Sequence, residues 1–164
     1  MATGGANRWW LYALIAVLLS PVIVVFLLAL ATLYISAGVV LYLAVWCWWL
    51  PRGRDTLIVY SDSPVWQSRM QEHVLAPVGT RAVVLNWSER RQWKISLASA
   101  VFRYFGGTRE FNPLAVVFRP FRRARVFRFW RPFRDWKHGR PQALEQLEAE
   151  LFACLGLTNR DVAA

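Results

Sequence analysis

The residues best suited to catalysis are few and are spread along the chain. Ser61, Asp62 and Ser63 would support hydrolysis only if His73 or His138 reached them in the fold. Serine and aspartate just before a proline more often begin a helix than form a catalytic site. Neither histidine has the His-x-x-x-His or Glu-x-x-His spacing that is typical of metal ligands. The sequence therefore predicts a protein that is not an enzyme and that has no catalytic residue, metal or cofactor.

The stretch of residues 119–140 combines basic and aromatic side chains at an unusual density. It holds nine basic residues and a single acid, Asp135, so its net charge is +8 in 22 residues. We predict that it binds a partner protein or lipid. The candidate binding residues are Arg119, Arg122, Arg123, Arg125, Arg128, Arg131, Arg134, Lys137 and Arg140, with Trp130 and Trp136.

Three ligands and one structural role compete for this stretch. Arginine and aromatic residues are frequent at the centres of protein interfaces, which favours docking to a partner membrane protein. Basic residues also attract anionic lipid, and tryptophan suits the depth of the lipid headgroups. Nucleic acid is a weaker candidate, since membrane attachment restricts access to it. In the structural alternative, the arginines pair with nearby acids or stack on tryptophan, and the phenylalanines are strand core.

The composition of the whole chain is both apolar and basic. Hydrophobic residues make up 56% of the 164 positions, and the net charge is +10. Such a composition argues against a disordered basic tail and against an ordinary soluble enzyme. Two cysteines, Cys47 and Cys154, are too few for a disulfide framework or a cysteine zinc site. The arithmetic favours a membrane protein with a basic aqueous part.

The apolar residues are concentrated near the N-terminus. Residues 9–50 carry no charge, which is about twice the length of ~20 residues that one bilayer crossing needs. We predict a helical hairpin, with transmembrane helices at about 9–30 and 33–50 and a turn near 31–38. The alternative is one tilted helix that begins after Pro21. Both ends of the run carry residue types that mark the cytoplasmic membrane interface, namely Arg8, Trp9, Trp10, Trp46, Trp48, Trp49, Arg52 and Arg54.

The remaining residues are enough for one compact domain. Short apolar runs predict strands at 56–60, 82–85, 114–118 and 125–130. Helices are expected after Pro64, after Ser88 and between Pro141 and Gly156. The last helix has leucines on one face, and Glu145, Glu148 and Glu150 are expected on its solvated face.

This order, β-α-β-α-β-β-α, with Pro113 just before the third strand, resembles the thioredoxin-like fold superfamily over roughly residues 55–156. The resemblance implies a cis Pro113 with a structural role, followed by an antiparallel hairpin and a closing helix. Redox-active members carry Cys-x-x-Cys just after the first strand. Residues 61–66 contain no cysteine here, which argues against a disulfide oxidoreductase.

The sequence thus predicts an α/β protein with two parts. Residues 1–54 are expected to form a membrane anchor, and residues 55–164 a redox-inactive thioredoxin-like domain on the cytoplasmic side, for example of a bacterial inner membrane. The expected function is that of an accessory subunit that stabilises or organises a larger membrane complex, such as a respiratory or photosynthetic one. The alternative is a membrane-surface module that binds anionic lipid or another phosphorylated ligand.

Overall fold

The N-terminal apolar run forms one long helix. The structure, a computed structural model, describes residues 9–157, in which helix α1 extends over Trp9–Trp48. The chain divides into two compact units, one ending at Val40 and the other beginning at Leu41. About two turns at the end of α1 therefore group with the soluble domain.

The predicted hairpin is not confirmed, because residues 31–38 continue the helix instead of forming a turn. The hydroxyl of Thr32 donates to the carbonyl oxygen of Leu28 at 2.8 Å. A hydroxyl that donates to a backbone carbonyl of its own helix is satisfied without water. Thr32 can therefore lie inside a helix and does not indicate a turn. Pro21 is also accommodated within α1.

Among the described residues, one segment is long and apolar enough to cross a membrane, Leu19–Arg52. Only 6% of its most apolar window is buried, whereas a helix that is apolar all round in a soluble protein lies in the core. An apolar helix near an N-terminus also fits a signal sequence. By length and composition, the segment fits a membrane span or a signal sequence.

A four-stranded mixed sheet forms the centre of the soluble domain. Its strands are β1 Thr56–Tyr60, β2 Ala82–Asn86, β3 Leu114–Val117 and β4 Arg125–Arg128. The spatial order is β2-β1-β3-β4, with β1 and β2 parallel and the other two pairs antiparallel. Every residue of β1 is buried, as expected for a central strand covered on both faces. The four predicted strands are confirmed, but the fourth ends two residues earlier than predicted.

Helices cover both faces of this sheet. Helix α2 is the segment 67–78, built from Gln67–Arg69, a π-helical turn at Met70–Leu75 and Ala76–Val78, and the others are α3 Leu97–Phe105, α4 Trp130–Lys137 and α5 Gln142–Leu155. Alternate residues of β1 supply two core clusters. Ile58 belongs to the cluster with α2, α4 and α5, whereas Leu57 belongs to the cluster with α3 and the end of α1.

The end of α1 is part of the second core cluster. Val45 is fully buried and Trp49 is 4% exposed, and the Trp49 ring centroid lies 6.2 Å from that of Phe118. Tyr42 extends the contact, with its ring centroid 5.4 Å from that of Phe105 in an edge-to-face arrangement. This face of the sheet is therefore covered partly by residues that precede the first strand.

Two helix starts differ from the sequence prediction. Ser96, not Ser88, caps α3 through a reciprocal capping box with Ser99. The residues between, Trp87–Gln92, form a 3₁₀ turn instead. Helix α4 replaces the predicted end of the fourth strand, because Trp130 is its first residue.

The last helix is confirmed, with one exception on its polar face. Leu144, Leu151 and Leu155 are buried, and Gly156 ends α5 in the left-handed conformation. Glu148, however, is 8% exposed. Its carboxylate accepts two hydrogen bonds from the Arg69 guanidinium, at 3.0 and 3.1 Å, which explains why it tolerates burial.

Candidate binding cleft and the arginine–aromatic stretch

A cleft of about 500 Å³ lies at the edge of the sheet where β1 ends and β3 begins. We call it the aromatic cleft, and its volume falls in the usual range for ligand-binding sites. Four of its seven lining side chains are aromatic. The lining consists of Trp66, Trp87, Phe111 and Trp130, with Arg109, Glu110 and Asn112.

One wall of the aromatic cleft is held by contacts between rings. The centroids of Trp87 and Phe111 are 4.6 Å apart, and Phe102 of α3 contacts both of them. Trp93 packs edge-on against Trp87, and its indole Nε1 donates to the carbonyl oxygen of Asn86 at 2.9 Å. Packed rings of this kind give the wall a fixed shape before any ligand arrives.

Two of the lining residues, Trp66 and Asn112, are hydrogen-bonded to Ser61, which is not itself part of the lining. Ser61 is 9% exposed, and its hydroxyl oxygen accepts hydrogen bonds from Trp66 Nε1 at 3.2 Å and from Asn112 Nδ2 at 3.0 Å. The Asn112–Pro113 peptide bond is cis, as the family resemblance implies. Asn112 Oδ1 is buried and has no hydrogen-bond partner among the described residues. A buried acceptor without a partner is costly, so a donor that reached this oxygen after the neighbouring side chains moved apart would be bound favourably.

The residues considered for hydrolysis do not assemble in the described structure. Asp62 accepts from Asn86 Nδ2 at 3.0 and 3.1 Å, and its amide donates to the Ser88 hydroxyl at 3.0 Å. His73 and His138 are exposed, and no hydrogen bond in the described part of the chain joins either one to Ser61 or Asp62. Within residues 9–157, no group of three histidine, cysteine or acidic side chains could hold a metal ion.

The second half of the arginine–aromatic stretch contacts the protein itself. Arg128 Nη1 donates to the carbonyl oxygens of Gly106 and Arg109, both at 2.7 Å, and of Glu110 at 3.3 Å. Arg131 forms an ion pair with Glu110. These two arginines hold the loop after α3, which carries part of the cleft lining.

The remaining residues of this half lie on or near α4. Arg134 lies 3.6 Å from Asp135 and 5.4 Å from the Trp130 ring centroid. Trp136 is partly buried, with the Arg69 guanidinium 5.4 Å from its ring centroid. Lys137 and Arg140 are exposed.

The first half of the stretch forms an exposed turn between β3 and β4. We call residues 119–124 the Phe121 turn. The Arg119 carbonyl oxygen accepts from the Arg122 amide at 3.2 Å, Pro120 occupies the second position, and Phe121 occupies the third with φ of 56°. Glycine is usual at such a position, and another residue there costs about 1–2 kcal/mol. Phe121 is nevertheless 90% exposed.

The arginines around Phe121 face solvent. Arg119, Arg122, Arg123 and Arg125 are exposed, and none of them forms an ion pair with a described residue. Arg125 lies 5.1 Å from the ring centroid of Phe127. Two non-glycine residues of the described chain have positive φ, Glu110 in the aromatic cleft and Phe121 in this turn. Residues with a strained backbone of this kind cluster at ligand sites.

The predicted membrane-interface residues have different environments. Trp49 is buried, whereas Trp48 is 60% exposed with the Arg52 guanidinium 4.0 Å from its ring centroid. The Trp46 ring centroid lies 5.4 Å from that of Phe121. Arg54 is exposed, Trp9 and Trp10 lie in α1, and Arg8 lies outside the described residues.

The sequence analysis did not identify most of the aromatic cleft as a site. Of the residues that line the cleft, only Trp130 is among the binding residues that the sequence predicts. The available signals were a tryptophan soon after the first strand and an asparagine before Pro113. Neither signal shows that the two loops converge.

Comparison with protein-family models, with curated proteins and with solved structures found no match to this chain. The aromatic cleft and the Phe121 turn are therefore the features of the molecule that indicate a function.

Proposed function

We propose that this protein is a non-catalytic accessory subunit, anchored in a membrane by α1, whose soluble domain binds another subunit of a larger membrane complex. The observation that carries the proposal is the aromatic cleft, whose lining combines four aromatic side chains with Asn112, the amide oxygen of which is buried without a partner in the described structure. Aromatic side chains and arginine are the residue types that contribute most at protein interfaces.

The expected occupant of the cleft is a polypeptide segment with one large apolar side chain. That side chain would fill the space between Trp66, Trp87 and Trp130, and a neighbouring N–H would donate to Asn112 Oδ1. Arg109, exposed at the rim, would favour an acidic residue next to the apolar one.

Binding is a better account of the cleft than catalysis. The Ser61 hydroxyl is occupied by two donors, Trp66 and Asn112, and neither can remove its proton. The fold supports the same conclusion. We infer a redox-inactive thioredoxin-like domain from the strand order, the strand directions and the helix positions, with no cysteine after β1.

The anchoring proposal depends on the exposed apolar surface of α1. Large apolar residues from Leu19 to Leu43 are mostly exposed. Such a surface is unfavourable in water but favourable in contact with lipid. The basic residues that follow α1 favour a cytoplasmic position for the soluble domain. A cysteine at the exposed position Ile95, in a chain with Cys47 and Cys154 replaced by serine, should react with an impermeant maleimide only from the cytoplasmic side.

The partner proposal is tested by purifying the full chain from its native membrane in mild detergent. We expect it to migrate with a large assembly, and Trp130→Ala to release it. Trp130 is 38% exposed, and near-ultraviolet circular dichroism of the Trp130→Ala chain shows whether the fold is intact. Ile95→Ala is the matched control, since Ile95 is a 98% exposed apolar residue outside the cleft lining.

Two results would contradict the proposal. One is migration of the unmodified chain as a free 19.0 kDa protein. The other is an intact assembly with Trp130→Ala and with Asn112→Ala.

A further inference from the structure

The position of the Phe121 turn next to the end of α1 indicates what it contacts. The Ala124 amide donates to the Tyr42 hydroxyl at 2.6 Å, and the Phe121 ring packs against Trp46. Tyr42 and Trp46 belong to the last turns of α1, and Trp48 with Arg52 follows directly. Tryptophan, tyrosine and arginine at a helix end are typical of a membrane–water interface.

The turn presents a combination of groups that fits a lipid surface. The Phe121 side chain is 90% exposed, and its backbone has a positive φ, which residues other than glycine seldom adopt. Three exposed arginines, Arg119, Arg122 and Arg123, flank the ring, and residues 119–125 include no acid. In water this arrangement leaves an apolar ring exposed to solvent, which is unfavourable. At a bilayer surface, such a ring enters the acyl boundary and the guanidinium groups contact lipid phosphates.

We propose that the Phe121 turn binds the headgroups of anionic phospholipid in the membrane that α1 spans. This inference relies on the proposed membrane anchoring but not on the proposed partner. The binding would hold the domain in one orientation at the surface. Each of the three arginines should favour binding to anionic over neutral lipid by about fivefold. Together they should favour the docked state in anionic lipid by about 100-fold.

The control for this proposal comes from the second half of the arginine–aromatic stretch, which contains basic residues outside the Phe121 turn. Arg128 and Arg131 are engaged by carbonyl and carboxylate oxygens of the loop after α3. Arg134, Lys137 and Arg140 are exposed like the arginines of the turn but lie on or just after α4. Replacing these three residues lowers the net charge as much as replacing the three arginines of the turn does, and it leaves the turn unchanged.

The test uses the full chain in nanodiscs of phosphatidylcholine, alone or mixed with phosphatidylglycerol. Hydrogen exchange at residues 118–125 should slow by about tenfold or more when phosphatidylglycerol is present. Replacing Arg119, Arg122 and Arg123 with glutamine should abolish the slowing. The same replacement at Arg134, Lys137 and Arg140 should preserve it.

A second variant separates the ring from the charges. Phe121→Asn keeps a residue that tolerates positive φ, so the domain should remain folded by near-ultraviolet circular dichroism. We expect it to weaken the slowing in anionic nanodiscs, because the ring no longer enters the acyl boundary.

Three outcomes would overturn the lipid proposal. The first is equal exchange in the two lipid mixtures, and the second is an equal effect of the two triple variants. The third is slowing by inorganic phosphate in phosphatidylcholine nanodiscs, which would show a site for free anions. A chain that does not enter nanodiscs at all would instead refute the anchoring, and loss of the partner assembly alone would leave this proposal standing.

Discussion

Replacement of Arg128 tests whether the second half of the arginine–aromatic stretch is structural. Its Nη1 makes two hydrogen bonds of 2.7 Å and one of 3.3 Å to carbonyl oxygens of the loop after α3. At the low end of about 1.5 kcal/mol for each of the two short charged bonds, Arg128→Ala should destabilise the domain by about 3 kcal/mol. For a domain of this size that corresponds to a fall of roughly 10–15 °C in the unfolding midpoint.

The assay is thermal unfolding of the full chain in mild detergent, followed by near-ultraviolet circular dichroism. This signal reports the packed tryptophans rather than the helix content of α1. Arg128→Lys should recover part of the loss, because an ammonium keeps the charge but cannot reproduce the planar fork. Arg122→Ala is the control, and it should leave the midpoint nearly unchanged since Arg122 is exposed. An equal effect of Arg128→Ala and Arg122→Ala would refute the division of the stretch.

Two further predictions concern stability, and the same unfolding assay measures both. Ser96→Ala should cost about 1 kcal/mol through loss of the α3 capping box, and Ser88→Ala should cost less; the reverse order would contradict the observed helix start. Arg69→Ala should cost about 3 kcal/mol, because it leaves the buried Glu148 carboxylate without its partner. Arg131→Ala, which breaks the exposed pair with Glu110, should stay within about 1 kcal/mol of the unmodified chain, and equal losses for the two arginines would argue against a special role for burial.

Local patterns in the sequence were sufficient to predict the strands and the last helix. The run Thr56–Tyr60 is apolar and rich in β-branched residues, which is the pattern of a strand buried on both faces. The leucines of Gln142–Leu155 repeat at helical spacing and are followed by Gly156. Each of these signals lies within the element that it predicts.

Features that depend on distant residues could not be predicted in this way. Ser88 and Ser96 are both suitable cap residues by type, and in the fold Trp87 and Trp93 pack on Phe102 while Ser96 caps the helix. The long apolar run has no local property that separates two helices from one, because a hydroxyl such as that of Thr32 is satisfied inside a helix.

The two candidate sites were predictable to different degrees. The charge and aromatic content of residues 119–140 predicted a binding stretch, but the acceptors of Arg128 lie 18 to 22 residues away in the chain. The sequence therefore could not show which arginines are engaged. The aromatic cleft depends on loops that follow β1 and β2 and precede β3, so only the sheet topology brings Trp87 and Asn112 to one place.

The burial of Val45 and Trp49 beneath the sheet has a consequence for how the protein is made. Both residues leave the ribosome before any strand of the domain, because synthesis proceeds from the N-terminus. When β1 and β3 are synthesised, the end of α1 already provides part of the surface on which they pack. Folding of the domain therefore depends on residues before the first strand, and a chain that began at residue 55 would lack part of this core.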